Sequence, residues 1–204
     1  MLIVRNGAVG CEDRQMQAPA DSEELPKFRF HPNAYDLGAF ESVVGRCDAC
    51  RSDRTLRYTG SFYAVDEVEY ICPWCVADGT AARLFDGEFS DYAGIEGIPP
   101  EPGSPATVDL DEAIEVCTRT PSYPSWQQEQ WPSHCGRPCA FMGDIGASDL
   151  PRYQDEPDFA ADVDGGLGWD PPLLRTHLTA GGDLAGYLFQ CLSCGAHRLH
   201  VDAS

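Results

Sequence analysis

The sequence predicts an α+β protein made of small antiparallel strands, zinc-ribbon or knuckle elements and a few short helices. Eight of its ten cysteines fall into two sets of four, and both sets contain the Cys-x2-Cys spacing typical of metal knuckles. Short strand-like runs are interrupted by turns, and 20 glycines and 16 prolines indicate a chain rich in loops. Because 43% of the 204 residues are hydrophobic, a wholly disordered chain is excluded.

The first part of the chain contains most of the predicted strands. Residues 1–24 have no sustained hydrophobic period and predict a mobile extension. Phe28 and Phe30 then alternate with charged residues, as in a short half-buried strand. The elements expected after them are four strands and one helix: Phe40–Val44, Thr55–Tyr58, Phe62–Val65, Val68–Ile71 and the helix Val76–Phe85.

A run rich in proline and glycine at 98–106 predicts a linker between two halves, a zinc-ribbon-like half at 25–97 and a zinc-stabilised half at 107–204. After the linker, Asp109 and Glu112 have the spacing of a helical capping box. The positions expected on the apolar face of that helix are Leu110, Ala113, Ile114 and Cys117. A helix near Leu173–Leu178 and a final hairpin over Leu184–Val201 complete the predicted elements.

The first cysteine set is Cys47-x2-Cys50 followed, after 21 residues, by Cys72-x2-Cys75. A two-residue gap lets a tight turn direct two sulfurs at one point, so two such turns supply the four ligands of a tetrahedral zinc ion. The sequence therefore predicts a structural Zn²⁺ held by these four thiolates. Cys72-Pro73-Trp74-Cys75 alone could instead be a thiol redox motif, but the matching second pair favours the metal.

The second set is Cys135-x3-Cys139 and, 51 residues later, Cys191-x2-Cys194. Strand-like sequence on both sides of Cys191 and Cys194 favours another knuckle, and the four cysteines predict a second structural Zn²⁺. Three histidines are close enough in sequence to replace a ligand, although exposed or hydrogen-bonded histidines are the expectation there: His134, His197 and His200. Cys117 is expected to be a small buried hydrophobic residue, and Cys11 lies in the extension.

No catalytic function is predicted. The chain has no H-E-x-x-H, Walker A, G-x-S-x-G or G-x-G-x-x-G motif. A zinc ion with four protein ligands keeps no open position for a reacting water, so neither set predicts a hydrolytic centre.

The formal charge of −19, from 14 basic and 33 acidic residues, favours a cationic protein as partner over a nucleic acid. Nine acidic residues and no basic one lie between Arg83 and Arg119, and six more lie between Arg152 and Arg175. The alternative is a zinc-ribbon adaptor that binds nucleic acid or the transcription and translation machinery through four arginines around the first knuckle: Arg46, Arg51, Arg54 and Arg57.

We expect a cytoplasmic protein without membrane association. No stretch approaches the roughly 18 consecutive apolar residues of a membrane span, and the first residues lack the apolar core of a secretory signal. A reducing compartment also agrees with cysteines that serve as metal ligands and not as disulfides.

Six ordered blocks of sequence resemble the CbrC family over about residues 25–202. They are LPKFRFHPN at 25–33, YTGSFY at 58–63, CPWCVADG at 72–79, RTPSY at 119–123, WQQE at 126–129 and HCGRPC at 134–139. The resemblance implies tolerance of, or immunity to, a nuclease toxin such as a colicin. A basic nuclease would be a physically suitable partner for so acidic a chain.

Overall fold

The computed structural model describes residues 24–101 and 103–204 and confirms a mixed α+β fold with small antiparallel strands and short helices. Its strands are β1 (Phe40–Arg46), β2 (Asp53–Tyr58), β3 (Ser133–His134), β4 (Arg137–Pro138), β5 (Ala140–Ile145), β6 (Leu184–Gln190) and β7 (His197–Ala203). Its α-helices are α1 (Pro73–Ala77), α2 (Thr80–Phe85), α3 (Leu110–Arg119), α4 (Pro157–Ala161) and α5 (Pro171–His177). Short 3₁₀ turns cover Tyr92–Gly94 and Leu150–Arg152, and a π-type turn covers Asp162–Gly166.

Strands β1 and β2 form an antiparallel hairpin whose closed end carries the first Cys-x2-Cys pair. A bulge interrupts the register between Ser42 and Gly45. Gly45 packs directly against Tyr70, since a Cβ atom built on it would lie 2.5 Å from the Tyr70 ring. The glycine therefore lets the segment after residue 68 approach the hairpin.

The second part of the chain is built on the antiparallel sheet β5-β6-β7, in that order, with the small hairpin β3-β4 beside it. The turn between β6 and β7 carries Cys191 and Cys194. The final hairpin and the helix at 171–177 agree with the sequence prediction. The acidic segment after residue 155 contains α4 and the π-type turn.

Three hydrophobic clusters make up the core. The first draws on residues 28–89, the second runs from Phe30 to Cys191, and the third covers residues 145–201. Phe28 and Phe30 are both buried, but they lie in different clusters and in no strand. The predicted strand at this point is wrong, and the segment instead links two cores.

Helix α3 begins as predicted, because the Asp109 carboxylate accepts a hydrogen bond from the Glu112 N–H at 3.0 Å. Its predicted apolar face is partly wrong, since Leu110 and Ile114 are about half exposed at 48% and 49%. The buried side chains are Glu112, Ala113, Val116 and Cys117. Two arginines outside the helix, Arg29 and Arg137, bind the Glu112 carboxylate on this face.

Three other predicted elements differ. Residues 62–65 form no strand, only an isolated bridge between Tyr63 and Glu88. The helix predicted over 76–85 is divided into α1 and α2, because Gly79 adopts a left-handed conformation with φ of 71°. Residues 68–71 form no named strand, yet Ile71 accepts a hydrogen bond from the Tyr58 N–H at 2.8 Å.

The predicted division into halves stays a prediction, and contacts cross the linker. Phe89 N–H donates to the Cys117 carbonyl at 2.7 Å, and the Tyr58 hydroxyl lies 2.6 Å from Ser122 Oγ. Residues 1–23 of the predicted extension lie outside the described residues. Among the helices of the described chain, none combines the length and apolar character that crossing a membrane requires.

Candidate metal centres

The structure brings Cys47, Cys50, Cys72 and Cys75 together, with all four sulfurs within 4.8 Å of one another. Cys47, Cys72 and Cys75 are buried, whereas Cys50 is exposed. Two segments separated by more than 20 residues therefore meet at one point, as the spacing predicts. The first group lies against the first hydrophobic cluster, to which its three buried cysteines belong.

Backbone hydrogen bonds shape the first knuckle. Cys47 N–H donates to the Ser52 carbonyl at 2.9 Å, and Arg51 N–H donates to the Cys47 carbonyl at 2.8 Å. Arg51 has a φ of 59°, in the left-handed region that favours glycine. Asp48 ties the second arm to this turn, because its carboxylate accepts a hydrogen bond from Tyr70 N–H at 2.9 Å.

The second arm is the start of α1. Cys72 directly precedes Pro73, and Cys75 N–H donates to the Cys72 carbonyl at 3.1 Å. This tight turn places both sulfurs on the side that faces the knuckle. Cys72 N–H also donates to Cys47 Sγ at 3.4 Å, a bond typical of a sulfur that carries negative charge.

The spacing of the sulfurs fits a tetrahedral metal ion. Bonds of 2.3 Å from one ion to four sulfurs give sulfur–sulfur distances of about 3.8 Å. Cys50 Sγ and Cys72 Sγ are 3.9 Å apart. This donor set can thus surround one ion without rearrangement of the chain.

The thiols of Cys47, Cys72 and Cys75 affect one another's ionisation. Hydrogen bonds from Cys72 and Cys75 lower the pKa of Cys47, whereas the bond to Cys47 raises the pKa of Cys72 to about 12 and also raises the pKa of Cys75. The first thiolate therefore opposes ionisation of its neighbours. A divalent cation reverses this effect because it attracts every thiolate in the group.

The second group consists of His134, Cys135, Cys191 and Cys194, whose ligand atoms also lie within 4.8 Å of one another. Three of the four predicted cysteines are present, and His134 occupies the place expected for Cys139. Nδ1 of His134 is 3.2 Å from Cys135 Sγ and 3.3 Å from Cys194 Sγ. The two sulfurs are 3.7 Å apart, again close to the tetrahedral value.

The hairpin β3-β4 explains this ligand choice. Its two-residue turn is Cys135-Gly136, with φ of 54° and 70°, as in the type I′ turns that join antiparallel strands tightly. Cys135 sits at the tip and His134 is the last residue of β3, so both face the knuckle at Cys191–Cys194.

Cys139 directly follows β4 and is not part of the second group. Its N–H donates to the Pro132 carbonyl at 2.9 Å, and its own carbonyl accepts a hydrogen bond from the Trp131 indole at 2.6 Å. The side chain is fully buried in the second hydrophobic cluster, and this burial raises the pKa of its thiol to about 12. The structure therefore corrects the predicted ligand set at this position, and Cys139 is a core residue.

An outer contact orients His134, the candidate histidine ligand. Nε2 of His134 lies 3.1 Å from Asp158 Oδ2, so Nδ1 is the nitrogen free to bind a metal. The other two histidines considered from sequence have different partners. His197 Nδ1 lies 2.8 Å from Glu156, and the His200 ring stacks on Tyr187.

The two knuckles have the same backbone design. In the second, Cys191 N–H donates to the Ala196 carbonyl at 2.8 Å and Gly195 N–H donates to the Cys191 carbonyl at 2.9 Å. Gly195 has a φ of 78° and occupies the position that Arg51 holds in the first knuckle. Cys117, as predicted, is buried away from both groups, and burial raises the pKa of its thiol.

A family model matches residues 25–203, which is most of the chain. The protein belongs to UPF0167, described as an uncharacterised protein family. Similar UPF0167 proteins occur in Mycobacterium bovis and Mycobacterium tuberculosis, each 37% identical over 88% of this chain and 94% of the relative. A UPF0167 protein of Pseudomonas aeruginosa is 38% identical over 87% of this chain and 97% of its own length. No solved structure matches.

This membership corrects the resemblance described from sequence. The matching model and the three relatives named above carry the UPF0167 description, and the CbrC name does not appear in it. Colicin tolerance and toxin immunity were implied by that resemblance alone, so they lose their support. What the UPF0167 structure supports directly is two groups of residues that could each hold a metal ion.

Proposed function

We propose that this protein is a zinc-stabilised binding protein without catalytic activity, in which two Zn²⁺ ions hold the fold and an acidic surface binds a cationic protein. The observation that carries the zinc proposal is the pair of four-ligand groups, each of which joins segments distant in sequence. Both groups use residues that supply sulfur or imidazole nitrogen and no carboxylate. That donor set suits Zn²⁺, which accepts tetrahedral thiolate and imidazole ligands, and not Mg²⁺ or Ca²⁺.

Both ions would be structural. Four protein ligands complete a tetrahedron, which leaves no position for the water that a catalytic zinc activates. The first group lies against the first core cluster, and the second joins a hairpin to the last strand pair. Metal binding to such groups contributes directly to folding.

Metal analysis of the purified protein tests this part of the proposal. Native mass spectrometry with elemental analysis should give two zinc ions per chain. Exhaustive chelation should remove both ions and lower the unfolding temperature. A protein that contains no metal after expression with ample zinc, and whose unfolding temperature is insensitive to chelators, would refute it.

The cationic partner is supported by the distribution of charge. Seven thiolates and two dications add about −3, which takes the formal charge from −19 to about −22. Carboxylates already bind eight of the arginines in the described part of the chain: Arg29, Arg51, Arg57, Arg119, Arg137, Arg152, Arg175 and Arg198. Ion pairs within the protein therefore neutralise most of these arginines. The carboxylates that outnumber the basic residues give the protein its net negative charge.

The same pairing bears on the nucleic-acid alternative. Around the first knuckle, Arg57 binds Glu41, Arg51 binds Asp48, and the Arg54 guanidinium lies 4.2 Å from the centre of the Trp74 ring. These contacts compete with phosphate for the arginines on which the alternative depends. They favour the protein partner.

Binding at low ionic strength separates the two functions. Zinc-loaded protein should bind a lysine- and arginine-rich model peptide, with affinity that falls as salt rises. It should bind neither duplex DNA nor single-stranded RNA under the same conditions. Nucleic-acid binding with a steep salt dependence, together with no binding of the peptide, would replace the proposal with the adaptor function.

A further inference from the structure

A small cavity of about 190 Å³ lies beside the sheet β5-β6-β7, where the segment around Trp126 packs against it. Its walls include Ser125, Trp126, Asp144 and Tyr187, with Gly181 at one side. Sites for drug-sized ligands usually enclose about 300–1,000 Å³. This cavity is therefore sized for a single functional group on a short chain.

The notable group in the cavity is the Asp144 carboxylate. Asp144 and Tyr187 are directly opposite in the β5-β6 register, so both side chains lie on the same face of the sheet. Asp144 Oδ1 is buried and has no hydrogen-bond partner within the chain as described, and no ion pair involves this residue there. A buried carboxylate without a partner is costly, and burial, with a smaller effect of Asp202, raises the pKa of Asp144.

The side-chain donors in the cavity wall are already used. The Ser125 hydroxyl, the Trp126 N–H and the Tyr187 hydroxyl all donate to Asp202, at 2.5, 3.0 and 3.0 Å. The Trp126 indole N–H donates to the Gly182 carbonyl at 2.8 Å. The groups that remain to meet a ligand are the Asp144 carboxylate, whose Oδ1 accepts no hydrogen bond in the described chain, and the aromatic surfaces of Trp126 and Tyr187. Asp202 adds a second negative charge nearby.

We propose that this cavity binds the ammonium or guanidinium group of an organic cation, with Asp144 as the charged acceptor and Trp126 and Tyr187 as aromatic neighbours. An anion would be repelled by Asp144 and Asp202, and a neutral group would leave the Asp144 charge uncompensated. Trp126 is 53% exposed, so its ring is accessible at the entrance. A charge-assisted hydrogen bond combined with aromatic contact is the usual means by which proteins bind such cations.

Gly181 keeps the space beside the carboxylate open. Its φ of 64° disfavours other residues, and a Cβ atom built there would lie 3.6 Å from Asp144 Oδ2. A side chain at this position would therefore occupy space beside Oδ2 and narrow the cavity at the Asp144 carboxylate.

This inference deepens the proposed function, because a lysine or arginine side chain of the partner would be one source of the cation. Its test uses the isolated zinc-loaded protein and small probes, so it can fail while the partner proposal survives. The probes are n-butylammonium and n-butylguanidinium, with 1-pentanol as the neutral control. N-acetyl-lysine methylamide represents a side chain within a peptide.

Titration followed by NMR should show saturable binding of both cations, with the Trp126 indole resonance among those that shift. The alcohol should not bind. Binding of the lysine derivative as well would identify a protein side chain as an admissible source, whereas binding of the free cations alone would indicate a small-molecule ligand. The Asp144→Asn variant should bind the cations about tenfold or more weakly.

The matched control is Asp183→Asn, which removes the same charge from an exposed residue near the cavity that does not line it. Its affinity should stay within about twofold of the parent. Zinc content and unfolding temperature establish that each variant is folded. Equal binding of the cations by the parent and Asp144→Asn, equal binding of the alcohol, or absence of saturable binding by the folded parent would overturn the inference.

Discussion

The Nε2 atom of His134 lies 3.1 Å from Oδ2 of Asp158, and this contact decides which nitrogen of the imidazole ring is directed at the sulfurs. With Nε2–H donating to the carboxylate, the lone pair on Nδ1 points toward Cys135 and Cys194. A carboxylate in this position also makes the imidazole a stronger donor to a metal. The second metal group is thus supported by a residue from α4, a helix that supplies no ligand itself.

We expect Asp158→Asn to weaken zinc binding at the second group alone. Loss of an outer-shell carboxylate typically lowers metal affinity by about 10–100-fold, and the partial exposure of Asp158 favours the lower end. Competition with a chromogenic chelator should therefore release one of the two ions more easily. Asp170→Asn, the same change at an exposed residue outside the group, should leave both ions unaffected. Equal retention in the two variants would contradict the role of Asp158.

Substitutions at neighbouring positions should distinguish His134 from Cys139 as the fourth ligand. His134→Ala and Cys135→Ser should each reduce the zinc content from about two ions per chain to about one. Cys139→Ala should keep both ions, because its thiol lies in the core and not in the group. If Cys139→Ala lost one ion and His134→Ala kept both, the four-cysteine ligand set predicted from sequence would be correct.

The cysteine spacing was enough to predict the knuckles because Cys-x2-Cys is a local signal. Cys47, Cys50, Cys191 and Cys194 need only a four-residue turn to converge. The choice between His134 and Cys139 depends on a chain reversal at Cys135-Gly136 and on which side of that hairpin the core forms. Neither fact is contained in the spacing, although the cysteine-glycine pair at the turn was a usable sign of a tight hairpin.

The buried face of α3 also could not be predicted from the local sequence pattern. Periodicity placed Ile114 inside, but the buried face carries Glu112, whose carboxylate binds Arg29 and Arg137 from segments distant in sequence. A buried carboxylate is stabilised there only because both partners are present. Sequence pattern alone cannot show which distant arginines will reach a helix.

The Glu112 ion pairs should make stability depend on pH in the acid range. The hydrogen bond from Arg137, and then that from Arg29, lowers the pKa of Glu112 below its ordinary value of 4.5. Its contribution is therefore complete above that value and is lost as the pH falls through the lower folded-state pKa. Glu112→Gln should cost about 1–3 kcal/mol at neutral pH, measured by urea unfolding, since both arginines are partly exposed.

A shallower acid dependence in Glu112→Gln than in the parent would support this account. Because thiolate ligands also bind protons in acid, the comparison must be made with zinc in excess and at pH values where both ions remain bound. An unchanged slope between parent and variant would show that Glu112 is not the titrating group.

The matching turns of the two knuckles predict opposite effects for two reciprocal substitutions. Arg51 adopts a left-handed conformation that glycine tolerates better, so Arg51→Gly should stabilise the protein or leave it unchanged, by up to about 1 kcal/mol. Gly195→Ala should destabilise by about 1 kcal/mol for the converse reason. Thermal unfolding of the zinc-loaded proteins measures both, and destabilisation by Arg51→Gly would indicate that the Arg51–Asp48 ion pair dominates.

Core substitutions in α3 should follow the observed face. Val116 is fully buried, so Val116→Ala should lower the free energy of unfolding by about 2 kcal/mol through loss of packing. Ile114→Ala, which removes more atoms from a half-exposed position, should cost less than Val116→Ala. The reverse order in urea unfolding would mean that the sequence periodicity had identified the buried face correctly.

The separation of ligands along the chain differs between the two metal groups, and this sets an order of assembly. During synthesis, the first group becomes complete once Cys75 has emerged from the ribosome, after a loop of fewer than 30 residues has closed. The second must wait for Cys194, although His134 and Cys135 emerge about 60 residues earlier. A growing chain therefore passes through a stage in which one ion can already be bound while two ligands of the other group wait for their partners.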